Sequence, residues 1–310
     1  MFKRRVPDDH RAFLPLPVQA VTVGAGSERV AVHIAGRLGA DRPPLFALTG
    51  YQRNMSDFTD FVPYFHRVMG EDWPVVLIDL LGRGRATDRR NKADYISTND
   101  AHDVSAVADA LSVDRAIFLG QGYGGQVVMA LAARRPRLLA GTVLIDASPV
   151  SSPRSLIRLR ENLLALDQLR GGSGVRGMPR RMLSTDYPGA SESQLDALVL
   201  RTHYFDRRGR LQALFDRHLI KQLAQFELDD ILVAQWPLFD ALKAAPLMLM
   251  RTQLTDQLPR ETMEAMARRR PDAVTLPIAG QGSPALLDHG EEIGAISAFV
   301  RHVSGKPRGR

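Results

Sequence analysis

Apolar residues along this chain gather in short, spaced runs. Leu45-Phe46-Ala47-Leu48, Val75-Val76-Leu77-Ile78, Ala116-Ile117-Phe118-Leu119, Thr142-Val143-Leu144-Ile145, Leu247-Met248-Leu249-Met250 and Ala273-Val274-Thr275-Leu276 carry little or no polar alternation. Such runs predict strands covered on both faces, as in a parallel sheet. Ahead of them, residues 18–23 and 30–34 alternate apolar with small or polar residues around Gly24, Ala25, Gly26 and Ser27, which predicts an opening hairpin. The segments between runs carry helical spacing. Residues 102–111 place Val104, Val107, Ala108 and Leu111 on one face, and residues 126–135 form a second helix closed by Pro136. Residues 57–69 and 260–269 read the same way. Strand and helix in alternation predict an α/β protein with a doubly wound sheet.

The alternation stops between Ser151 and Ala245 and resumes at Pro246. The interrupting stretch is rich in Leu and Arg, with a flexible break at Gly171-Gly172-Ser173-Gly174. It predicts a helical cap, residues 151–245, inserted into a core made of residues 1–150 and 246–310. A separate domain fits less well, because the later strands need the earlier ones to complete the sheet.

Composition narrows the function classes. The chain has 310 residues, 45% hydrophobic and 24% charged, with no cysteine. Disulfides, thiolate metal sites and a Cys nucleophile are therefore excluded, and a cytoplasmic setting is expected. No apolar run approaches the roughly 20 residues needed to span a bilayer. The N-terminal Met1-Phe2-Lys3-Arg4-Arg5 lacks the apolar segment of a signal peptide. The net charge of +7 invites a nucleic-acid reading, but basic and acidic residues are interspersed, and the tightest cluster, Arg268-Arg269-Arg270, closes a predicted surface helix. A solvated Arg-rich surface is expected instead, with a disordered tail from Lys306.

The strand ending at Leu119 runs into Gly120-Gln121-Gly122-Tyr123-Gly124-Gly125 and then a helix. Small residues around one central position let a strand turn sharply into a helix and hold that residue at the tip. Gly120, Gly122 and Gly125 also match a dinucleotide-binding spacing, with Asp146 near the place of its ribose-binding acid. That reading puts the turn after the fifth strand rather than the first of a fresh unit, and it leaves the other loops unexplained. Those loops are Thr49-Gly50-Tyr51-Gln52-Arg53-Asn54, Asp79-Leu80-Leu81-Gly82-Arg83-Gly84-Arg85, Asp146-Ala147-Ser148-Pro149, Arg251-Thr252-Gln253-Leu254-Thr255-Asp256 and Gly280-Gln281-Gly282-Ser283-Pro284. In order and content they resemble the loops of the α/β-hydrolase superfamily, in its capped bacterial form, over about residues 30–300. The resemblance implies that fold, with Gly122 at the nucleophile elbow, Asp256 at the triad acid and Ser283 at the triad histidine. It also implies a pocket and oxyanion site from Gly50, Tyr51, Gln121 and Tyr123.

The departures bear on function. Gly122 has no side chain to attack with. Ser283, or Gly282 or Pro284 with the loop shifted by one, cannot act as a base at neutral pH. Substitute bases are sought in His289, just past that loop, and in His203 and His218 of the cap; His33 and His102 lie in the hairpin and before a helix. Two readings follow. The first is a chain without serine-hydrolase activity that keeps a capped pocket for an apolar small molecule or a partner. The second is an active enzyme, either an esterase-like hydrolase rescued by a cap histidine or a cofactor-free lyase or isomerase with Asp256 as base. Neither calls for a cofactor or a metal. No nucleic acid is expected as partner, and an oligomer stays open.

Overall fold

The computed structural model describes residues 6–24, 26–39, 41–169, 177–288 and 290–305. Its strands in chain order are β1 (Gln19–Val23), β2 (Glu28–Ala35), β3 (Leu45–Leu48), β4 (Val75–Asp79), β5 (Ala116–Gln121), β6 (Leu139–Ile145), β7 (His203–Phe205), β8 (Leu211–Ala213), β9 (Leu247–Thr252) and β10 (Val274–Ile278). Eight of them form one sheet in the order β1-β2-β4-β3-β5-β6-β9-β10. The opening hairpin is antiparallel, β2 runs antiparallel to β4, and the rest are parallel. The helices are α1 (Phe61–Met69), α2 (Ser97–Ala110), α3 (Tyr123–Arg134), α4 (Pro153–Gln168), α5 (Gly177–Ser184), α6 (Glu192–Thr202), α7 (His218–Leu223), α8 (Trp236–Asp240), α9 (Arg260–Arg269) and α10 (Gly290–Ser304).

The unbroken apolar runs have their cause in two cores, one on each face of the sheet. Phe46, Leu48, Val76, Ile78, Phe118 and Leu144 face α2 and α3. Their neighbours Leu45, Ala47, Val75, Leu77, Ile117, Leu119 and Val143 face α1 and α10. Alternate residues serve opposite cores, so few positions are left for a polar side chain. β10 departs from the expectation. It is an edge strand with Val274 52% exposed, and Pro277, which cannot donate to a ladder, is tolerated there.

Other expectations need adjusting. α2 begins at Ser97, not His102, because its polar first turn is buried through Asp100 and Asp103. The cap is not wholly helical: β7 and β8 pair within it. Its last stretch, α8 and the turn at Ala241–Ala244, packs on α3 rather than over the strand ends. Arg270, expected on a solvated face, is buried. It donates to the carbonyls of Leu242 (2.9 Å) and Ala245 (3.0 Å) and pairs with Asp272 at 2.7 Å, pinning the segment that re-enters the sheet. The tail from Lys306 lies outside the described residues.

Candidate functional site

The parallel strands all end on one side, and their following loops form the floor of a cavity of about 430 Å³. Gly50 and Tyr51 come from the loop after β3, Gln121, Gly122 and Tyr123 from the turn after β5, and Asp146 from the end of β6. Asp256 and Gln257 follow β9, and Ser283 follows β10. The roof is apolar: Leu156, Leu159 and Leu163 of α4, Met182 of α5 and Leu198 of α6. The site residues expected from the sequence thus lie around one cavity.

The turn at Gly122 is sharp. Gly122 has φ +50° and ψ −115°, in the left-handed half of backbone space that favours glycine. Its neighbours are glycine for want of room: a Cβ on Gly120 would stand 2.5 Å from the Gly125 nitrogen, and one on Gly124 2.6 Å from the Leu48 oxygen. Gly122 N donates to Ile145 O at 2.8 Å. The N–H groups that open a helix have no acceptor inside it, and here they belong to Tyr123 and Gly124. Where a residue at 122 would carry its Cβ, the carboxamide oxygen of Gln257 approaches to 2.6 Å.

The two carboxylates of the floor differ. Asp146, at φ +50° and 1% exposed, accepts from Thr252 N (2.8 Å) and Thr252 Oγ1 (2.6 Å), with the Ser283 hydroxyl close enough to favour its charged form. Burial pushes its pKa up to about 6 against those hydrogen bonds and the charge of Arg251. Asp256 is half-exposed and lies 3.1 Å from Arg158 of α4, which also holds Asp186. The residue at 283 therefore meets Asp146, while Asp256 ties the floor to the cap. Asp146 closes an otherwise apolar buried strand, and that was its signal in the sequence. Gln257 had none.

Around the turn lies a buried polar network. Asp100 accepts from Tyr123 Oη (2.7 Å), Arg89 Nη2 (2.6 Å) and Arg83 Nη1 (3.3 Å). The Arg83 guanidinium sits 5.3–5.7 Å from the ring centres of Tyr123, Tyr95 and Tyr51. Tyr51 Oη donates to Gln222 Oε1 at 3.0 Å on α7, and burial pushes its pKa up to about 12. Tyr123 is raised too, first by burial and then by the Asp100 charge, so its phenol is a structural donor.

The histidines separate clearly. His289 lies outside the described residues. His218 is half-exposed and bonded to Asp216 at 2.9 Å, away from the cavity lining. His203 lines the cavity, 2.9 Å from Thr202 Oγ1, and burial lowers its pKa to about 3. Folded His203 stays neutral where an unfolded histidine takes a proton near 6.5. Its contribution to stability is complete above pH 6.5 and is lost as the pH falls from there toward 3. Asp79 and Asp103, each raised to about 7 by burial, act oppositely: they stabilise most below about pH 4 and lose that as the pH rises through 7. His203→Leu isolates the histidine from both. Between pH 7.5 and 4.5 the intact chain is expected to lose about 3 kcal/mol more than the variant in urea titrations. Equal losses would show that His203 is accessible to protons in the folded state.

Among the described residues no group of three or more His, Asp or Glu side chains is placed to hold a metal ion, and no helix is long and apolar enough to cross a membrane. With this geometry in hand, residues 43–177 match the family model of the alpha/beta hydrolase fold. A solved alpha/beta hydrolase from Novosphingobium aromaticivorans superposes with a TM-score of 0.75 at 27% identity, covering 92% of this chain and 98% of that one. The chain has the α/β-hydrolase fold, and its residues 43–177 resemble that family. The fold is also that of E-2-(acetamidomethylene)succinate hydrolase, with a TM-score of 0.74 at 19% identity over 92% of this chain and 99% of that one. RutD of Pseudomonas syringae pv. syringae (strain B728a), named for carbamate hydrolase activity, is 33% identical over 116 residues, 37% of this chain and 43% of its own. A serine hydrolase-like protein of Danio rerio is 30% identical over 103 residues, 33% of this chain and 30% of its own. The match thus spans less than half the length of either curated relative. The turn at Gly122 occupies the strand–helix junction after β5, and residues of α4, α5 and α6 line the cavity opposite it.

Proposed function

We propose that this α/β-hydrolase-fold chain does not hydrolyse esters and instead binds a small molecule with an apolar body beneath the cap. One observation carries the reading: the elbow residue is Gly122, and the space of its missing side chain is taken by the Gln257 carboxamide. The rest of the floor agrees. Ser283 offers a hydroxyl, not an imidazole, to Asp146, and a hydroxyl cannot accept a proton at neutral pH. The leucines of α4 and α6 suit a hydrocarbon. A second reading, an enzyme using a carboxylate as base, draws on Asp146, whose pKa near 6 is high for an aspartate, and on the names of the relatives.

The test has two arms. Incubation with a fluorophosphonate probe is expected to leave the intact mass unchanged; stoichiometric labelling of any serine would overturn the proposal. Calorimetric titration with 2-nonanone is expected to show one saturable site, absent in Leu159→Arg, which places a charge in the roof. No saturable binding to the intact chain would remove the ligand half of the reading.

A further inference from the structure

Gln121 is a residue that the fold does not ask for. It ends β5 and continues the row Ile117, Leu119, both fully buried in the core toward α1 and α10. An apolar residue would serve packing there. Gln121 is 2% exposed, lines the cavity, and has no hydrogen-bond partner for either its carboxamide oxygen or its nitrogen. Burying a donor and an acceptor unpaired is costly, and natural cores rarely leave such a group unexplained.

From this orphaned pair we infer that the floor recognises a neutral head group presenting a donor and an acceptor side by side: a primary amide, a carbamate or a ureide on an apolar tail. This rests on the small-molecule reading above and names the ligand's head. A carboxamide is self-complementary, since its N–H meets the partner's carbonyl and its carbonyl meets the partner's N–H. The room lies next door. Gly122 follows Gln121 directly and bears only hydrogen, and the atom over it is the far end of a flexible side chain, Gln257, which can swing aside. A carboxylate head is disfavoured on two counts. It has no proton to donate to the Gln121 oxygen. It would also share the floor with Asp146, which follows Ile145, the register partner of Gln121 in β6. The apolar roof takes the tail.

Three probes of one shape separate the possibilities: octanamide, 2-nonanone and octanoate share a seven-carbon tail and differ only in the head. Octanamide is expected to bind the intact chain about tenfold more tightly than 2-nonanone, the scale of one to two net hydrogen bonds to a desolvated partner. Octanoate is expected to bind more weakly than octanamide. Gln121→Met, similar in length and apolar, should abolish the amide's advantage: octanamide loses both hydrogen bonds to the carboxamide, whereas 2-nonanone, whose carbonyl can only accept, weakens less. Without ligand this variant should melt higher than the intact chain, and octanamide should raise the melting temperature of the intact chain by more than that of the variant. Equal affinity for octanamide and 2-nonanone overturns the head-group inference and leaves the pocket reading standing. Tightest binding of octanoate overturns it in favour of an anion site. Binding of none of the three overturns the pocket reading and this inference with it.

Discussion

Asp100→Ala is expected to cost about 3–5 kcal/mol, a large share of the roughly 5–15 kcal/mol that holds an ordinary domain folded. Asp100 is fully buried and is the shared acceptor of Arg83, Arg89 and Tyr123. Arg83 is itself fully buried, and its Nη2 has no partner. Its remaining hydrogen bonds go to carbonyls, those of Tyr51 and Leu81. Without Asp100 the guanidinium keeps its charge in a low-dielectric interior with the tyrosine faces as its nearest compensation, and those supply little beside a carboxylate. The effect reaches the site, because the Tyr123 hydroxyl also loses its acceptor. An exposed pair sets the scale: Arg42 and Asp72 are about half-exposed, and Arg42→Ala should cost less than about 1 kcal/mol. Arg83→Met combined with Asp100→Leu should recover much of the loss, since removing both charges avoids the stranded ion. Urea denaturation of these three variants beside the intact chain measures this. A loss below 1 kcal/mol for Asp100→Ala would mean that water reaches Arg83.

Combining Gly122→Ser with Ser283→His is expected to create ester hydrolysis on the order of 100-fold above either single variant, because triad members act as a unit. Gly122→Ser alone lacks a base, and Ser283→His alone lacks a nucleophile. The geometry also selects the acid. An imidazole at 283 would grow from a residue whose hydroxyl already meets Asp146, whereas Asp256 is engaged by Arg158. Adding Asp146→Asn is therefore expected to abolish the new activity, and Asp256→Asn to leave most of it. Two costs hold the gain down. The new Cβ meets the Gln257 oxygen at 2.6 Å, so Gln257→Ala should raise the rate further. A serine at φ +50° is strained by about 1–3 kcal/mol, which should lower the melting temperature of each variant carrying it. Hydrolysis of p-nitrophenyl butyrate and thermal melts decide the matter. No activity in the variant that also carries Gln257→Ala, together with unchanged stability on Gly122→Ser, would mean that this turn is not the catalytic elbow of the fold.

The sequence alone determined the sheet and the order of its loops. Runs such as Phe46 to Leu48 or Ile117 to Leu119 are legible because burial on both faces of a strand forbids polar residues locally, within a few positions. The glycine-rich turn at 120–125 was legible for a similar reason, since each glycine answers a constraint of backbone or close approach. The tertiary structure decided what depends on partners distant in the chain. The early start of α2 was hidden because Asp100 and Asp103 look like surface residues until Arg83 and Arg89 bury and neutralise them. Arg270 looked solvated until two carbonyls 25 and 28 residues away claimed it. The contact of Asp146 with Ser283, the approach of Gln257 to Gly122 and the unpaired carboxamide of Gln121 lie in the same class. Hydrophobic burial is written into the chain one residue at a time, whereas a polar group's role is set by what stands within about 3 Å of it, and folding supplies that neighbour from anywhere along the chain.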